Sequence, residues 1–298
     1  MYPDPDSPRR FGILDAVLIA LTGAAAVYVW FRVSDVLAYR WDWGFLPQVL
    51  VRRDPGSGWL EPNLLTEGLL TTIRISAWAM VLASALGLVL GVMATLPRLL
   101  PRLTARAYVG LIRNIPPLVF VFVFYFFISS QIMPALQVDV WARELSASGR
   151  AVMAVLLGPA DLLENLITGI LCLAMFEAAY ICEIVRAGIR AVPHSQTEAA
   201  RALGLRPVQV FRLIVLPQAL RTVTPPLANQ FIMLIKTSSI VSLISVQELT
   251  FIGTEVAVST GRRFETWIVV AAMYFVLCYA LARLFARMEV RMRRRQGH

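Results

Sequence analysis

The residues of this chain that could do chemistry are polar side chains inside long apolar segments. Lys236, the only lysine, interrupts one such segment; Asn229 lies seven residues before it and Ser239 three after, so all three share one side of a helix, here called the polar face. Another apolar segment contains Glu177 and Glu183. A charge in hydrocarbon costs roughly 2.5–3.5 kcal/mol on insertion scales, so each should face a partner, a protein interior or water.

Two interpretations of these charges remain open, one structural and one functional. Glu183 lies three residues before Arg186, a spacing that permits an ion pair near one membrane surface. Glu177 is either a member of such a pair or a contact to a substrate. The polar face either ties helices together or lines a passage for a polar solute, and we favour the passage. Glu177 and Glu183 are further candidates for lining that passage.

The sequence predicts no catalytic site, no metal site and no bound cofactor. His194 and His298 are far apart, and neither has metal ligands at suitable spacings. All three cysteines lie in apolar segments, so no disulfide framework is expected outside the membrane. A phosphate-binding P-loop needs a glycine before its lysine, whereas Lys236 follows Ile235. Any energy from ATP must therefore come from another subunit.

Composition indicates a protein that crosses a membrane several times. Of the 298 residues, 58% are hydrophobic, and the mean hydropathy is +0.67. A helix needs about 20 apolar residues to span the hydrocarbon. Six segments meet this requirement approximately, at residues 12–31, 68–96, 107–131, 163–186, 223–247 and 266–286. We therefore expect an all-α membrane protein with about six transmembrane helices.

Arginine is distributed unequally between the two sides of the membrane that this arrangement predicts. If the 187–222 loop lies in the cytoplasm, eighteen arginines fall on the cytoplasmic side and eight on the outer side. Basic residues are enriched in cytoplasmic loops, so both termini are expected there. The formal charge of +9 then reflects orientation in the membrane, and nucleic-acid binding is not expected.

The chain divides into a series of expected regions. Residues 1–10 form a polar cytoplasmic tail, and 11–31 form an N-terminal transmembrane helix that is retained rather than removed as a signal peptide. The outer loop 32–65 carries tryptophans that favour the membrane interface. A core, 66–286, is followed by a basic cytoplasmic tail, 287–298.

Within the core, a stripe of small residues and a second outer segment are informative. Ala83, Gly87 and Gly91 recur every four residues, a spacing that lets two helices approach closely. Residues 132–162 form the second outer segment, an interfacial helix or loop to which the sequence assigns no role.

A polar, helix-forming segment extends from Ser195 to Pro217. Ser195 and Glu198 have the spacing of a capping box, which predicts a helix start at Ser195. Gly204 should end that helix in a left-handed conformation, and Pro207 suits the first turn of a second helix, which Pro217 interrupts. The expected product is a helix–turn–helix with an exposed elbow at Gly204. By spacing alone, it is also consistent with an ordinary cytoplasmic loop.

This segment resembles the EAA loop of bacterial ATP-binding-cassette (ABC) importer permeases. The resemblance rests on Glu198-Ala199-Ala200, on Gly204 after three further residues, and on the later Ile214, Leu216 and Pro217. In that family the loop, here 193–217, is a coupling helix that docks into a cleft on the ATPase subunit. The resemblance therefore implies that the following residues couple the chain to an ATPase: Ser195, Glu198, Ala199, Ala200, Gly204, Ile214, Leu216 and Pro217.

Residues 66–286 also resemble the permease group for polar amino acids, namely histidine, glutamate, glutamine and arginine. The matching stretches run from Arg113 to Leu118, from Ala179 to Leu205 and from Lys236 to Leu249. Glu177 departs from the group, where this position is usually small and uncharged. The resemblance implies a five-helix type I importer permease core, to which the N-terminal helix is an addition.

The same resemblance implies partners and a location. The partners are a second permease subunit, identical or homologous, a dimer of ABC ATPases that carries ATP and Mg²⁺, and an extracytoplasmic amino-acid-binding protein. The implied location is the bacterial cytoplasmic membrane, in contact with its lipid. The implied function is ATP-driven import of polar amino acids.

Two other functions remain open. A secondary transporter driven by an ion gradient could use Lys236 with Glu177 or Glu183 as its coupling pair, and it would need no ATPase. A membrane scaffold or sensor without transport would tolerate replacement of Lys236.

Overall fold

The structure, a computed structural model, describes residues 12–36, 39–53, 56, 58–138, 140 and 144–294. It divides into two compact units, Met1–Trp43 and Gly44–His298. The first unit contains helix α1 (Ile13–Val36), in which the side chains from Ile13 to Arg32 are all exposed. The predicted tail 1–10 lies outside the described residues.

The second unit is almost entirely helical. Its elements are α2 (Leu46–Leu50), β1 (Val51–Arg53), β2 (Leu60–Pro62), α3 (Leu64–Thr95), α4 (Leu99–Arg113), α5 (Pro117–Val123), a π turn (Phe124–Ser129), α6 (Ser130–Leu136), α7 (Ala147–Leu156), a 3-10 turn (Ala160–Leu162), α8 (Leu163–Arg190), α9 (His194–Ala202), α10 (Pro207–Val210), a π turn (Phe211–Val215), α11 (Leu216–Thr237), a 3-10 turn (Ser238–Ile244), α12 (Leu249–Thr260) and α13 (Arg263–Arg294).

Six helical stretches of the described residues are long and apolar enough to cross a membrane, which confirms the predicted number. These stretches are Ile13–Arg32, Leu64–Thr95, Pro117–Leu136, Ala160–Arg190, Pro207–Ile244 and Arg263–Arg291.

The third membrane-spanning stretch begins later than the sequence predicted, at Pro117 rather than at residue 107. Helix α4 ends at Arg113, and Pro116 has an extended backbone with ψ 138°. A proline disfavours helical geometry in the residue before it, so the Pro116-Pro117 pair separates α4 from α5.

A small antiparallel hairpin of β1 and β2 precedes α3 and was not predicted from the sequence. Arg52 pairs with Glu61 across the hairpin, and their side chains form an ion pair at 3.3 Å. Its strands have three residues each, too short for a recognisable alternation of apolar and polar side chains. Trp59, beside β2, is 77% exposed.

Helices α3 and α8 pack closely along the glycines of α3, which confirms the prediction from their spacing. A Cβ atom on Gly87 would lie 2.6 Å from Ile181, and one on Gly91 would lie 2.6 Å from Val185. The contacts advance in the same direction along both helices, so α3 and α8 are parallel.

Replacing Gly91 with alanine is expected to destabilise this contact. The added methyl would meet Val185 at 2.6 Å and the Cys182 carbonyl oxygen at 3.0 Å, and overpacking typically costs about 1–3 kcal/mol. Thermal unfolding of the purified chain in detergent should show a lower melting temperature. Gly110→Ala is the matched control, because no heavy atom lies within 4 Å of its added methyl. An unchanged melting temperature for Gly91→Ala would show that α3 and α8 can move apart enough to accept the methyl group without a loss of stability.

The contacts of α8 and α11 fix the direction of the remaining core helices. Gly188 approaches Val223, whereas Glu177 meets Gln230, so α11 runs antiparallel to α8. Helix α11 is also antiparallel to α13, since Phe231 packs against Phe285 while Thr224 shares a cavity with Met288. The C-terminal ends of α3, α8 and α13 therefore lie at the same end of the core as the loop between α8 and α11.

Candidate functional site

Helix α9, the first part of the predicted coupling segment, begins at His194. The expected capping box of Ser195 and Glu198 is wrong. Pro193 holds the chain at φ −57° and ψ 134°, which places the helix boundary before His194 and leaves Ser195 within the first turn. The Glu198 carboxylate instead lies 3.1 Å from His194 Nδ1, one helical turn away.

The elbow at Gly204 has the left-handed backbone that the sequence predicted, with φ +80°. The Gly204 N–H donates to the Arg201 carbonyl at 2.9 Å, and the Leu205 N–H donates to the Ala200 carbonyl at 3.2 Å. This pair of bonds is a Schellman motif, which satisfies carbonyls left unpaired at a helix end. No heavy atom lies within 4 Å of where a Gly204 side chain would begin, so the elbow is open to solvent or to a partner.

The second helix of this segment starts at Pro207, as predicted, but Pro217 does not interrupt it. A π turn, Phe211–Val215, joins α10 to α11, and Pro217 falls in the first turn of α11. The π turn widens the helix directly before this proline, with the Leu216 N–H donating to the Phe211 carbonyl five residues back, and the helix continues through Pro217. The chain from Pro207 to Ile244 thus forms one uninterrupted helical path.

The eight predicted coupling residues divide into exposed and internal groups. Ala200 is buried and packs with Val210 and Val215 between the two helices. Ile214 and Leu216 are half-buried. The exposed members are Ser195, Glu198, Ala199, Gly204 and Pro217. A docking partner would therefore meet α9 and the elbow, while the internal residues hold the two helices together.

The polar face lies on the outside of α11 in this single chain. Asn229 and Lys236 are exposed, with the exposed Met233 between them. No carboxylate of a described residue lies within 4.0 Å of the Lys236 ammonium. The half-buried Ser239 hydroxyl donates to the Lys236 carbonyl at 2.8 Å. The Lys236 ammonium can therefore contact any molecule or subunit that packs against this face of α11.

The two predicted carboxylates each have a partner other than Lys236. Glu177 is 2% exposed and accepts a hydrogen bond from the Gln230 amide, which joins α8 to α11. Glu183 forms an ion pair with Arg186 on the same helix, at the predicted spacing. The structure therefore does not bring Lys236 together with either carboxylate as a coupling pair.

Sequence reasoning missed a buried carboxylate, Glu248, at the end of the core opposite the elbow. Its Oε1 accepts the Phe251 N–H at 2.9 Å, and its Oε2 accepts the Tyr274 hydroxyl at 2.6 Å. It is the N-cap of α12, and the available signal was an acidic residue directly before an apolar run.

The second outer segment is fixed to α3 by two side chains. Arg74 Nε donates to the Val155 carbonyl at 3.0 Å, and Trp78 Nε1 donates to the Leu156 carbonyl at 3.1 Å. Both acceptors lie at the C-terminal end of α7, where carbonyls lack partners within the helix.

Comparison with known proteins then identifies the family. Residues 69–294 match the model for the binding-protein-dependent transport system inner membrane component. The chain belongs to this family. It is therefore a multi-pass membrane permease subunit of an ABC transporter, in which the ATPase activity belongs to a partner.

Relatives of this permease cover most of its length. It is 30% identical to the octopine transport system permease protein OccM of Rhizobium radiobacter, over 79% of this chain and 89% of the relative. It is 28% identical to the glutamate/aspartate import permease protein GltJ of Escherichia coli K12, over 80% of this chain and 89% of the relative. It is 32% identical to the probable glutamine ABC transporter permease protein GlnM of Bacillus subtilis, over 74% of this chain and 89% of the relative.

Solved structures agree on the fold of the permease. A structure described as an amino acid ABC transporter with histidines matches 76% of this chain and 94% of its own, with 29% identity and a TM-score of 0.61. A structure of the MetNI methionine ABC transporter matches 75% of this chain and 95% of its own, with 21% identity and a TM-score of 0.52. This likeness supports the fold alone. The expected type I importer permease fold is confirmed.

Proposed function

We propose that this permease moves polar amino acids across the bacterial cytoplasmic membrane, into the cell, in a complex driven by ATP. The observation that carries the proposal is the exposed elbow at Gly204, held by a Schellman motif in a permease of the binding-protein-dependent family. The names of the relatives, which cover octopine, glutamate, aspartate and glutamine, support an amino-acid substrate.

The proposed complex contains two permease subunits, two ABC ATPases that bind ATP and Mg²⁺, and an extracytoplasmic amino-acid-binding protein. Both termini and the 193–217 loop lie in the cytoplasm. Closure of the ATPases would move α9, and the helical path from Pro207 to Ile244 would transmit that motion to the membrane. The passage then alternates between outward and inward access by rigid-body rocking about its centre.

The polar face of α11 supports a role in that passage. An unpaired ammonium is costly against lipid, so the exposed side of Lys236 is expected to face water, substrate or the second permease subunit. A cation there could attract the α-carboxylate that every amino acid carries. We therefore assign Asn229, Lys236 and Ser239 to the passage. Because Glu177 and Glu183 already have partners, we assign them structural roles.

Replacing Lys236 with methionine is expected to reduce amino-acid uptake at least tenfold while the complex still assembles. Methionine has a similar length and removes only the charge and its hydrogen-bond donors. Uptake of labelled amino acid into proteoliposomes measures the effect, and size-exclusion chromatography measures assembly. Lys236→Arg, which retains the charge, should keep most of the uptake. Full activity in the methionine variant would give this residue a purely structural role.

The proposed function is tested by reconstitution of the purified complex. Uptake of labelled polar amino acids should require enclosed ATP, Mg²⁺ and the binding protein, and it should survive ionophores that collapse ion gradients. Uptake that continues without an ATPase and stops with ionophores would instead establish a secondary transporter. Absence of transport for every polar amino acid would exclude the proposed substrate class.

A further inference from the structure

A cavity of about 790 Å³ lies between the 193–217 loop and the ends of α3 and α8, and we call it the basal cavity. Thr95 and Arg190 line it, and each ends a membrane-spanning stretch. The cavity therefore lies at the end of these two stretches, on the side that carries the elbow. Its volume is in the range of ordinary small-molecule sites.

The ionisable groups that line the basal cavity are all basic. Arg190, Arg201 and His194 contribute to its wall, and none of the lining residues, all of them described, is acidic. Neither guanidinium forms an ion pair or a hydrogen bond with a described residue, whereas His194 is engaged by Glu198 at 3.1 Å. Two arginines without counter-charges in one cavity favour an anionic ligand.

The rest of the wall is mainly apolar. Its apolar members come from α3, from the chain around the end of α8 and from the α10 region: Val92, Leu96, Ile189, Val192, Val208 and Phe211. A soluble phosphorylated metabolite would leave these surfaces without a matching group. A phospholipid supplies both parts, because its phosphate can meet the arginines while its acyl chains cover the apolar wall.

We propose that the basal cavity binds an anionic phospholipid, with the headgroup phosphate between Arg190 and Arg201. Basic cavities at the cytoplasmic ends of transmembrane helices suit such headgroups. The lipid would contact α9 on one side and the ends of α3 and α8 on the other. It would thereby hold the elbow at a fixed height above the membrane. The site is independent of which solute the permease carries.

The test measures lipid retention by the purified permease complex. Native mass spectrometry would follow exchange from nanodiscs that contain phosphatidylglycerol and phosphatidylcholine in equal amounts. The double variant Arg190→Gln/Arg201→Gln should lose the preference for phosphatidylglycerol by tenfold or more, at roughly fivefold for each arginine near the surface. Arg212→Gln/Arg221→Gln is the matched control, because both arginines are exposed and neither lines the basal cavity.

A second variant keeps the test decisive if the arginine variant folds poorly. Val208→Trp adds bulk to the cavity wall at a residue that is 76% exposed, and it leaves both arginines in place. It should also reduce phosphatidylglycerol retention. Equal losses in the arginine variant and its control would overturn the proposal, because they would indicate non-specific charge attraction. Displacement by glycerol phosphate would reassign the cavity to soluble phosphates, and lipid retention by the permease alone that disappears in the complete complex would reassign the cavity to the ATPase.

Discussion

Replacing Gly204 with valine is expected to remove the ATPase from the purified complex and to abolish ATP-driven transport. The Gly204 backbone has φ +80°, a conformation that costs a residue with a side chain about 1–2 kcal/mol, and β-branched residues are the least suited to it. Valine would therefore open the Schellman motif and turn α10 away from α9. Co-purification of the ATPase and ATP-dependent uptake measure the effect, and we expect at least a tenfold loss in both.

Membrane insertion should survive this change, because the added side chain has open space around it and touches no core helix. Gly204→Asn is the matched control, since asparagine accepts the left-handed conformation more readily than other residues with side chains. The asparagine variant should retain most ATPase binding. A valine variant that binds the ATPase as well as the unmodified chain would show that the conformation of the elbow has no part in docking.

Replacing Glu248 with alanine is expected to destabilise the end of the core opposite the elbow by about 3 kcal/mol. Glu248 is fully buried, and its carboxylate accepts hydrogen bonds from Phe251 and Tyr274 while lying 3.4 Å from the Thr72 hydroxyl. Alanine would leave the Phe251 N–H, whose bond to Glu248 is the N-cap of α12, without its acceptor, and it would leave the Tyr274 hydroxyl with Thr250, at 3.0 Å, as its remaining partner. Each hydrogen bond lost at this site costs about 1–3 kcal/mol. Thermal unfolding in detergent should show a large decrease in melting temperature.

Two variants separate this network from general effects of charge removal. Glu255→Ala removes an exposed carboxylate from the same helix and should leave the melting temperature nearly unchanged. Tyr274→Phe removes one donor of the network and should cost less than Glu248→Ala. If the Glu248→Ala and Glu255→Ala variants had the same melting temperature, the Glu248 carboxylate would not hold α3, α12 and α13 to one another.

The local features of the chain could be predicted because neighbouring residues determine them. Gly204 and Pro207 specify a turn and a helix start through their own backbone preferences, and the structure has both. The six membrane-spanning stretches follow from runs of apolar residues of sufficient length. The errors were local as well: Pro193 moved the start of α9, and the π turn before Pro217 kept the helix continuous.

The contacts that hold the candidate site depend on how distant helices pack, and only the tertiary structure decides them. The sequence identified Glu177 as a costly charge but could not assign Gln230 as its partner, which lies 53 residues away on an antiparallel helix. Glu248 meets Tyr274 only because α12 and α13 come together, and Arg74 meets a carbonyl 81 residues later. Backbone propensity acts over a few residues, whereas these pairings require the direction and register of whole helices, which the glycines of α3 set by their close approach to α8.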